Sequence, residues 1–172
     1  MNALPDVSTV RIARLNHAVL YVSDAKRSAD FYCNVLGFTT VVAFEGAAFL
    51  RAGGSSNDHD LGLFSVGERP SAPRSVGLYH LAWQVDTIDE LVALAARLET
   101  AGSLVGASDH GVSKSLYAKD LDGIEFEIMW AIPRSDWAKP EHQMRTAALN
   151  LVAEQARWSS QPTAAETNVA SA

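Results

Sequence analysis

The strongest constraint on the fold is an internal repeat within the 172 residues. Residues 15–22 and 78–85 both have the apolar character of β-strands, and each segment carries a histidine at its third position. These histidines, His17 and His80, stand 63 residues apart. A repeat of this length predicts two copies of one supersecondary unit, each too small to bury its own hydrophobic face alone.

Helix-start signals follow both predicted strands. Asp24 and Thr87 are typical N-cap residues, and Thr87 with Glu90 has the spacing of a capping box. Behind each predicted helix come three short β-like segments separated by turn residues, at 38–45, 47–51 and 60–66 in the first copy and at 104–107, 113–119 and 124–130 in the second. The pattern is therefore βαβββ, written twice.

These elements predict the α+β fold class, with paired βαβββ modules whose half-buried sheets bury their faces against one another in a single domain. We expect the domain at residues 11–131, with module one at 11–66 and module two at 77–130. Residues 132–172 are expected to be a C-terminal extension, with a helix over 146–158 and a disordered end.

Composition limits the kinds of partner. The net charge of −6 disfavours nucleic acid and anionic membranes. The single cysteine, Cys33, allows neither an internal disulfide nor a thiolate metal cluster, and its apolar neighbours predict a core position. No segment resembles a signal peptide or approaches the ~20 apolar residues of a membrane span, so a cytoplasmic protein is expected.

The polar residues within the apolar strands suggest a metal site. A lone strand histidine is usually packed or hydrogen-bonded, but His17 and His80 occupy matching places in the repeat and could point into one cavity. Glu125 and Glu127 share one face of the last strand of the repeat, and a buried carboxylate needs a basic side chain or a metal as its partner. Two imidazoles and one carboxylate form the facial triad of non-haem iron oxygenases.

The repeat, the strand histidines and the closing Asp120-Leu121-Asp122-Gly123 turn before Glu127 resemble the vicinal oxygen chelate superfamily over about residues 12–130. That superfamily includes glyoxalases, extradiol dioxygenases, epimerases and antibiotic-resistance proteins. The resemblance implies that the paired mixed sheets form a cup, and that His17, His80 and Glu127 are metal ligands in this cup. Glu127 fits the spacing of the family, five residues after Asp122, and Glu125 does not.

The subgroup within the superfamily is predicted from a fourth protein ligand to the metal that this sequence lacks. Glyoxalase-like members of the superfamily carry a fourth protein ligand on the last strand of the first module. Shifting Glu127 back by the repeat offset gives Phe64, and its face neighbours Gly62 and Val66 cannot bind a metal either. The resemblance therefore implies open coordination positions, which a catecholate and dioxygen would need.

Three further residues resemble the extradiol pattern. His59, in the segment 57–63, matches the catalytic acid–base; His110, followed by Gly111, matches a histidine over the substrate; and Tyr117 matches a tyrosine that binds a substrate oxygen. Taken without the resemblance, His59 reads as an exposed turn residue, His110 as a turn residue and Tyr117 as an ordinary strand aromatic.

The resulting prediction is a metal-dependent extradiol ring-cleaving dioxygenase, with Fe(II), or else Mn(II) or another divalent metal. Its partners would be a small aromatic substrate and dioxygen, and homodimer formation is left open. One alternative is a non-redox lyase or isomerase with Glu45 or Glu125 as base. The other is an aromatic-compound or antibiotic-binding protein without turnover, whose pocket would use Phe44, Phe49, Phe64 and Trp83.

The sequence departs from the family pattern at two positions. Lys114 stands where many relatives have another histidine, and a lysine near the pocket would alter substrate choice. Leu121 replaces the usual proline of the closing turn. Many extradiol enzymes also carry an additional N-terminal domain, so the resemblance covers only their catalytic half.

Overall fold

A computed structural model describes residues 13–68, 77–143, 145–159 and 161. The predicted disordered end, most of the predicted loop at 67–76 and the first residues of the predicted domain lie outside this described part. The elements in chain order are β1 (Ala18–Val22), α1 (Ala25–Leu36), β2 (Thr39–Phe44), β3 (Ala47–Arg51), β4 (Leu61–Ser65), β5 (Leu81–Gln84), α2 (Ile88–Thr100), β6 (Leu104–Asp109), β7 (Ser113–Lys119), β8 (Glu125–Ala131), β9 (Ala147–Ala148) and α3 (Leu151–Trp158).

The described strands form two mixed sheets, one from each repeat. The first sheet has the order β1-β4-β3-β2 and the second has the order β5-β8-β7-β6-β9. In both sheets the first strand of the repeat pairs in parallel with the last, while the remaining pairs are antiparallel. The predicted α+β class with two βαβββ modules is confirmed.

Local signals set the ends of the first two helices. The Asp24 carboxylate accepts a hydrogen bond from the Arg27 backbone N–H, 2.9 Å away, and Gly37 ends α1 with a φ of 76°. Thr87 and Glu90 form both bonds of the capping box at the start of α2. Among the residues that the structure describes, no helix combines the length and apolar character needed to cross a membrane.

The two modules share one hydrophobic core on the helix side of their sheets. Phe126 of β8 lies against Phe31 and Tyr32 of α1, with ring centroids 6.3 and 6.1 Å apart. All three side chains are buried. The Tyr32 hydroxyl also donates to the buried Asp120 carboxylate, 3.2 Å away, in the turn that closes module two. Buried contacts of this kind fix the orientation of the modules relative to each other.

The C-terminal extension packs onto module two. Strand β9 pairs with the edge of β6, and α3 begins only at Leu151, after the N-cap Asn150. Part of the segment predicted as helix, from residue 146, is therefore used for sheet pairing. Trp158 at the end of α3 is buried against Trp130 of β8, with ring centroids 5.9 Å apart.

Candidate metal centre

His80 and Glu127 lie side by side on the face of the second sheet that points away from its helix. Strands β5 and β8 pair in parallel with Ala82 opposite Glu127, which brings the residue just before β5 next to the carboxylate. His80 Nε2 lies 3.1 Å from Glu127 Oε2, and the two side chains are only 22% and 13% exposed. The buried His80 Nδ1 has no hydrogen-bond partner in the described part of the chain. An imidazole and a carboxylate in this arrangement can share a proton or a cation.

Tyr117 and His110 extend the same cluster. Tyr117 on β7 stands opposite Glu127 on β8, and its ring centroid is 5.9 Å from that of His80. His110 Nδ1 lies 3.2 Å from the Arg145 carbonyl, which can only accept, so this nitrogen carries the proton. Nε2 of His110 then accepts from the Tyr117 hydroxyl, 2.9 Å away. Burial, together with the negative charge of Glu127, raises the pKa of Tyr117, so the phenol stays protonated.

His17 and His59 form a second cluster on the first sheet. Their ring centroids are 4.6 Å apart, and the ring of Phe49 packs 5.1 Å from that of His59. His59 Nδ1 donates to the Asp58 carboxylate, 2.7 Å away, and this hydrogen bond lowers the pKa of Asp58. His17 Nδ1 faces the Asn16 amide oxygen at 2.9 Å, which leaves Nε2 as the nitrogen able to bind a metal.

The two clusters do not meet within one chain. His17 directly precedes β1 in the sheet of module one, whereas His80 directly precedes β5 and Glu127 lies on β8 in the sheet of module two. Across the described residues, no group of three histidine, cysteine, aspartate or glutamate side chains is close enough to hold a metal ion. The expected convergence of both histidines on one cavity is therefore absent from the single chain, because the modules are joined through their helix-side faces and not through their polar faces.

Strand register corrects the position of the missing fourth ligand. In module two, Ala82 pairs with Glu127, and the matching pair in module one is Val19 with Gly62. The counterpart of Glu127 is therefore Gly62, not Phe64. A Cβ atom at Gly62 would lie 3.3 Å from the Val19 side chain and 3.5 Å from Phe49, so neighbouring side chains already cover this position. The conclusion that module one offers no equivalent carboxylate still holds.

Lys114 points away from the histidine clusters. Its side chain is fully buried on the side of β7 opposite Tyr117, and its ammonium donates to Asp109, 2.5 Å away. Glu154 of α3 lies 3.6 Å from the same ammonium, and the Arg145 guanidinium also pairs with Asp109. The expected influence of Lys114 on substrate choice is therefore not supported, and the side chain instead joins module two to the C-terminal extension. Alternation along β7 was the signal that could have indicated this direction.

Comparison with known proteins places the chain in a family. A family model described as the glyoxalase/bleomycin resistance protein/dioxygenase superfamily matches residues 14–128. The chain is 36% identical over 145 residues to a catechol-2,3-dioxygenase of Bacillus subtilis (strain 168), which covers 80% of this chain and 49% of the relative. The chain thus spans about half the length of that relative.

Two further known proteins are similar to this chain. Glutathione transferase FosA of Serratia marcescens is 28% identical over 117 residues, covering 66% of this chain and 78% of that protein. A crystal structure of a glyoxylase/bleomycin resistance protein/dioxygenase domain from Frankia sp. EAN1pec matches the fold with a TM-score of 0.57 and 23% identity, over 70% of this chain and 99% of that one. The chain belongs to the glyoxalase/bleomycin resistance protein/dioxygenase superfamily.

Proposed function

We propose that the chain is a metal-dependent extradiol dioxygenase that opens a catechol-type aromatic ring. The observation that carries the proposal is the cluster on the second sheet, where the His80–Glu127 pair stands beside the hydrogen-bonded His110 and Tyr117. His80 and Glu127 have the side chains of metal ligands, and His110 and Tyr117 can form hydrogen bonds with an oxygen of the substrate. The similarity to a catechol-2,3-dioxygenase supports the same activity.

The donor set suits a divalent metal with open positions. Nε2 of His80 and the Glu127 carboxylate would hold it, and imidazole and carboxylate donors favour Fe(II) or Mn(II). Nε2 of His17, on the other sheet, would be a third ligand only where the polar faces of the two sheets are brought together. Glu127 lies between the buried side chains of Phe126 and Ile128 along β8 and faces Nε2 of His80 at 3.1 Å, so a cation bound at this pair would neutralise a carboxylate that is only 13% exposed. When bound, such a metal would hold a catecholate and dioxygen next to each other.

The remaining residues would handle protons. Because the Tyr117 hydroxyl donates to His110, its oxygen keeps lone pairs that can accept a hydrogen bond from a substrate hydroxyl. His59 donates from Nδ1 to Asp58, so its Nε2 is the basic nitrogen and can take a proton from the catechol and later return it. Phe49 beside His59 would limit the access of water to this nitrogen.

A second candidate is non-redox transfer of a thiol to an electrophilic substrate. It is favoured by the similarity to glutathione transferase FosA. Such a reaction would use the same metal ligands but consume no dioxygen, so oxygen uptake separates the two candidates. The Gly62 position supplies no carboxylate base for an isomerase-type reaction in module one.

The test begins with anaerobic loading of the protein with Fe(II), followed by catechol and air. We expect oxygen uptake and a yellow ring-fission product in equal amounts. A chain that binds Fe(II) fully but consumes no oxygen with simple or polycyclic catechols would refute the dioxygenase. Consumption of glutathione with an epoxide substrate under nitrogen would then support the transferase.

His59→Ala separates metal binding from proton transfer. We expect ring cleavage to fall about 10²- to 10⁴-fold, the usual contribution of a general acid–base, while metal content is unchanged. His142→Ala is the matched control, since this buried histidine packs against Trp158 in the C-terminal extension and touches neither cluster. Equal loss of activity in both variants would argue against a specific role for His59.

A further inference from the structure

We propose that Arg145 of the C-terminal extension is a positioning residue for ring cleavage, because its backbone carbonyl sets the tautomer of His110 and thereby the direction of the Tyr117 hydroxyl. The inference rests on the proposed function and adds a residue outside the candidate metal ligands. His110 Nδ1 lies 3.2 Å from the Arg145 carbonyl oxygen, and His110 Nε2 lies 2.9 Å from the Tyr117 hydroxyl. A neutral imidazole donates from only one nitrogen, so the carbonyl leaves Nε2 as an acceptor.

The side chain of Arg145 holds this carbonyl in place. Its guanidinium pairs with the Asp109 carboxylate and donates to the Glu141 carbonyl, 2.5 Å away. Asp109 directly precedes His110 in the chain, and its carboxylate also accepts from the Gly111 N–H, 2.8 Å away. The guanidinium and the His110 ring are therefore anchored at adjacent residues, and the pairing with Asp109 keeps the carbonyl within reach of the ring.

Gly111 shows how closely the extension approaches the turn after β6. The φ of Gly111 is 83°, and a Cβ atom at this position would overlap the carbonyl oxygens of His142 and Gln143. Only glycine lets the backbone of the extension lie so close to the residue after His110. The buried Lys114 ammonium donates to the Gly111 carbonyl, 3.2 Å away, and holds the same turn from the buried side of β7. The extension and the turn therefore fit together beside the His110 ring.

The tautomer of His110 decides the hydrogen-bonding role of Tyr117. With the proton on Nδ1, the Tyr117 hydroxyl donates to Nε2, and its oxygen can accept from a substrate hydroxyl. With the proton on Nε2, the imidazole would donate to Tyr117, and the phenolic proton would point away from His110. A catechol hydroxyl would then meet a donor in place of an acceptor. Loss of the Arg145 carbonyl would make both tautomers accessible.

The first test measures the tautomer and needs no turnover. Long-range ¹H–¹⁵N correlation spectra of the full chain, labelled with ¹⁵N-histidine, distinguish protonated from unprotonated ring nitrogens, and His110→Gln identifies the His110 signals. In the unaltered chain we expect His110 to carry its proton on Nδ1. Arg145→Met should give a mixture of both tautomers. Arg145→Lys should restore most of the Nδ1–H form, because its ammonium can still pair with Asp109.

Arg134→Met is the matched control within the same extension. The Arg134 guanidinium lies over the Trp137 ring, 4.5 Å from its centroid, so this variant should leave the His110 signals unchanged. The Arg145 side chain is 43% exposed, and its replacement opens no cavity in the core. Unchanged His110 signals in Arg145→Met, or equal changes in both variants, would overturn the proposal.

The second test asks whether the tautomer affects the reaction. With catechol and the Fe(II)-loaded chain, we expect kcat to fall about 5- to 10-fold in Arg145→Met, which corresponds to about one hydrogen bond. Adding Arg145→Met to Tyr117→Phe should cause no further fall, because both changes act through the same hydroxyl. Losses that multiply would overturn the positioning role. The predicted change of tautomer in a chain without ring cleavage would refute the proposed function and support the control of Tyr117 by Arg145.

Discussion

At the scale of single residues, Tyr117 connects the candidate metal ligands to proton chemistry. Its hydroxyl is directed at His110, its β-strand partner is Glu127, and its raised pKa keeps the phenol neutral. The orientation depends on the His110 tautomer, which the Arg145 carbonyl fixes from the far side of the ring. A residue of the C-terminal extension thus controls which atom of Tyr117 can face a substrate.

Tyr117→Phe removes this hydroxyl and leaves the ring in place. We expect turnover of a catechol to fall about 10- to 100-fold, the loss that corresponds to one hydrogen bond, while bound metal stays constant. Steady-state kinetics and metal analysis on the same sample measure the two effects. Tyr32→Phe is the matched control, since it removes a buried hydroxyl that bonds Asp120 on the helix side. That variant should lose stability but keep its turnover number.

At the scale of elements, the buried Lys114 attaches the C-terminal extension to β7. The ammonium lies between Asp109 of β6 and Glu154 of α3, and Arg145 pairs with Asp109 just before β9. The neighbouring His110 is held by the same segment. The segment that attaches the extension to module two therefore also holds His110 of the candidate site in its orientation.

Lys114→Met should destabilise the protein by about 3 kcal/mol, since it leaves the buried Asp109 carboxylate and the half-buried Glu154 carboxylate without the ammonium. Urea unfolding followed by tryptophan fluorescence measures the loss. Lys119→Met is the matched control, because Lys119 lies on the same strand but is exposed. Its free energy of unfolding should change by no more than about 0.5 kcal/mol. Equal changes in the two variants would contradict a structural role for the buried ammonium.

The ion pairs of Asp109 with Lys114 and Arg145 predict how the free energy of unfolding depends on pH. Burial alone would raise the pKa of Asp109, but hydrogen bonds from Lys114 and Arg145 outweigh it and lower the pKa to about 2. In the unfolded chain the value is about 3.9. The stabilising contribution is thus complete above about pH 4 and is lost as the pH falls towards 2.

Asp109→Asn should make the free energy of unfolding depend less on pH in this acidic range. Urea unfolding at several pH values between about 2 and 5 measures it, and the unaltered chain should lose more free energy of unfolding over this interval than the variant. The variant should already be less stable at neutral pH, because Lys114 and Arg145 lose their anionic partner. An identical slope in both chains would show that other carboxyl groups dominate.

The helices and strands could be predicted from local sequence signals. The arrangement of the candidate site could be predicted only in part, because it depends on packing between residues distant in sequence. The repeat and the capping residues Asp24 and Thr87 predicted the helices, since these signals act within a few residues. Strand alternation also predicted which face carries Glu127. By contrast, the register that aligns Gly62 with Glu127 depends on strand pairs distant in sequence, and the repeat offset alone missed it by two residues.

At the scale of the whole molecule, the relation between the modules could not be predicted from the repeat. Matching histidines suggested that the two first strands face each other, yet each module also carries an apolar helix-side face. Those faces are more apolar, and they pack against each other through Phe31 and Phe126. The polar faces are left on the outside of this shared core.

A core shared by both modules predicts that they unfold together. The sequence supplies a separate probe for each: all four tryptophans lie at residue 83 or later, while the single Cys33 lies on α1 of module one. Tryptophan fluorescence and the labelling of Cys33 should therefore give the same urea midpoint in the unaltered chain. Distinct midpoints would mean that the modules are independent.

Phe126→Ala tests the contact that couples them. Removing this buried ring should cost about 3–5 kcal/mol and lower both midpoints together, because the cavity opens between β8 and α1. Val152→Ala, on the exposed side of α3, is the control and should change the free energy of unfolding by no more than about 0.5 kcal/mol. A loss confined to tryptophan fluorescence would show that Phe126 stabilises module two alone and that the two modules do not depend on a common core.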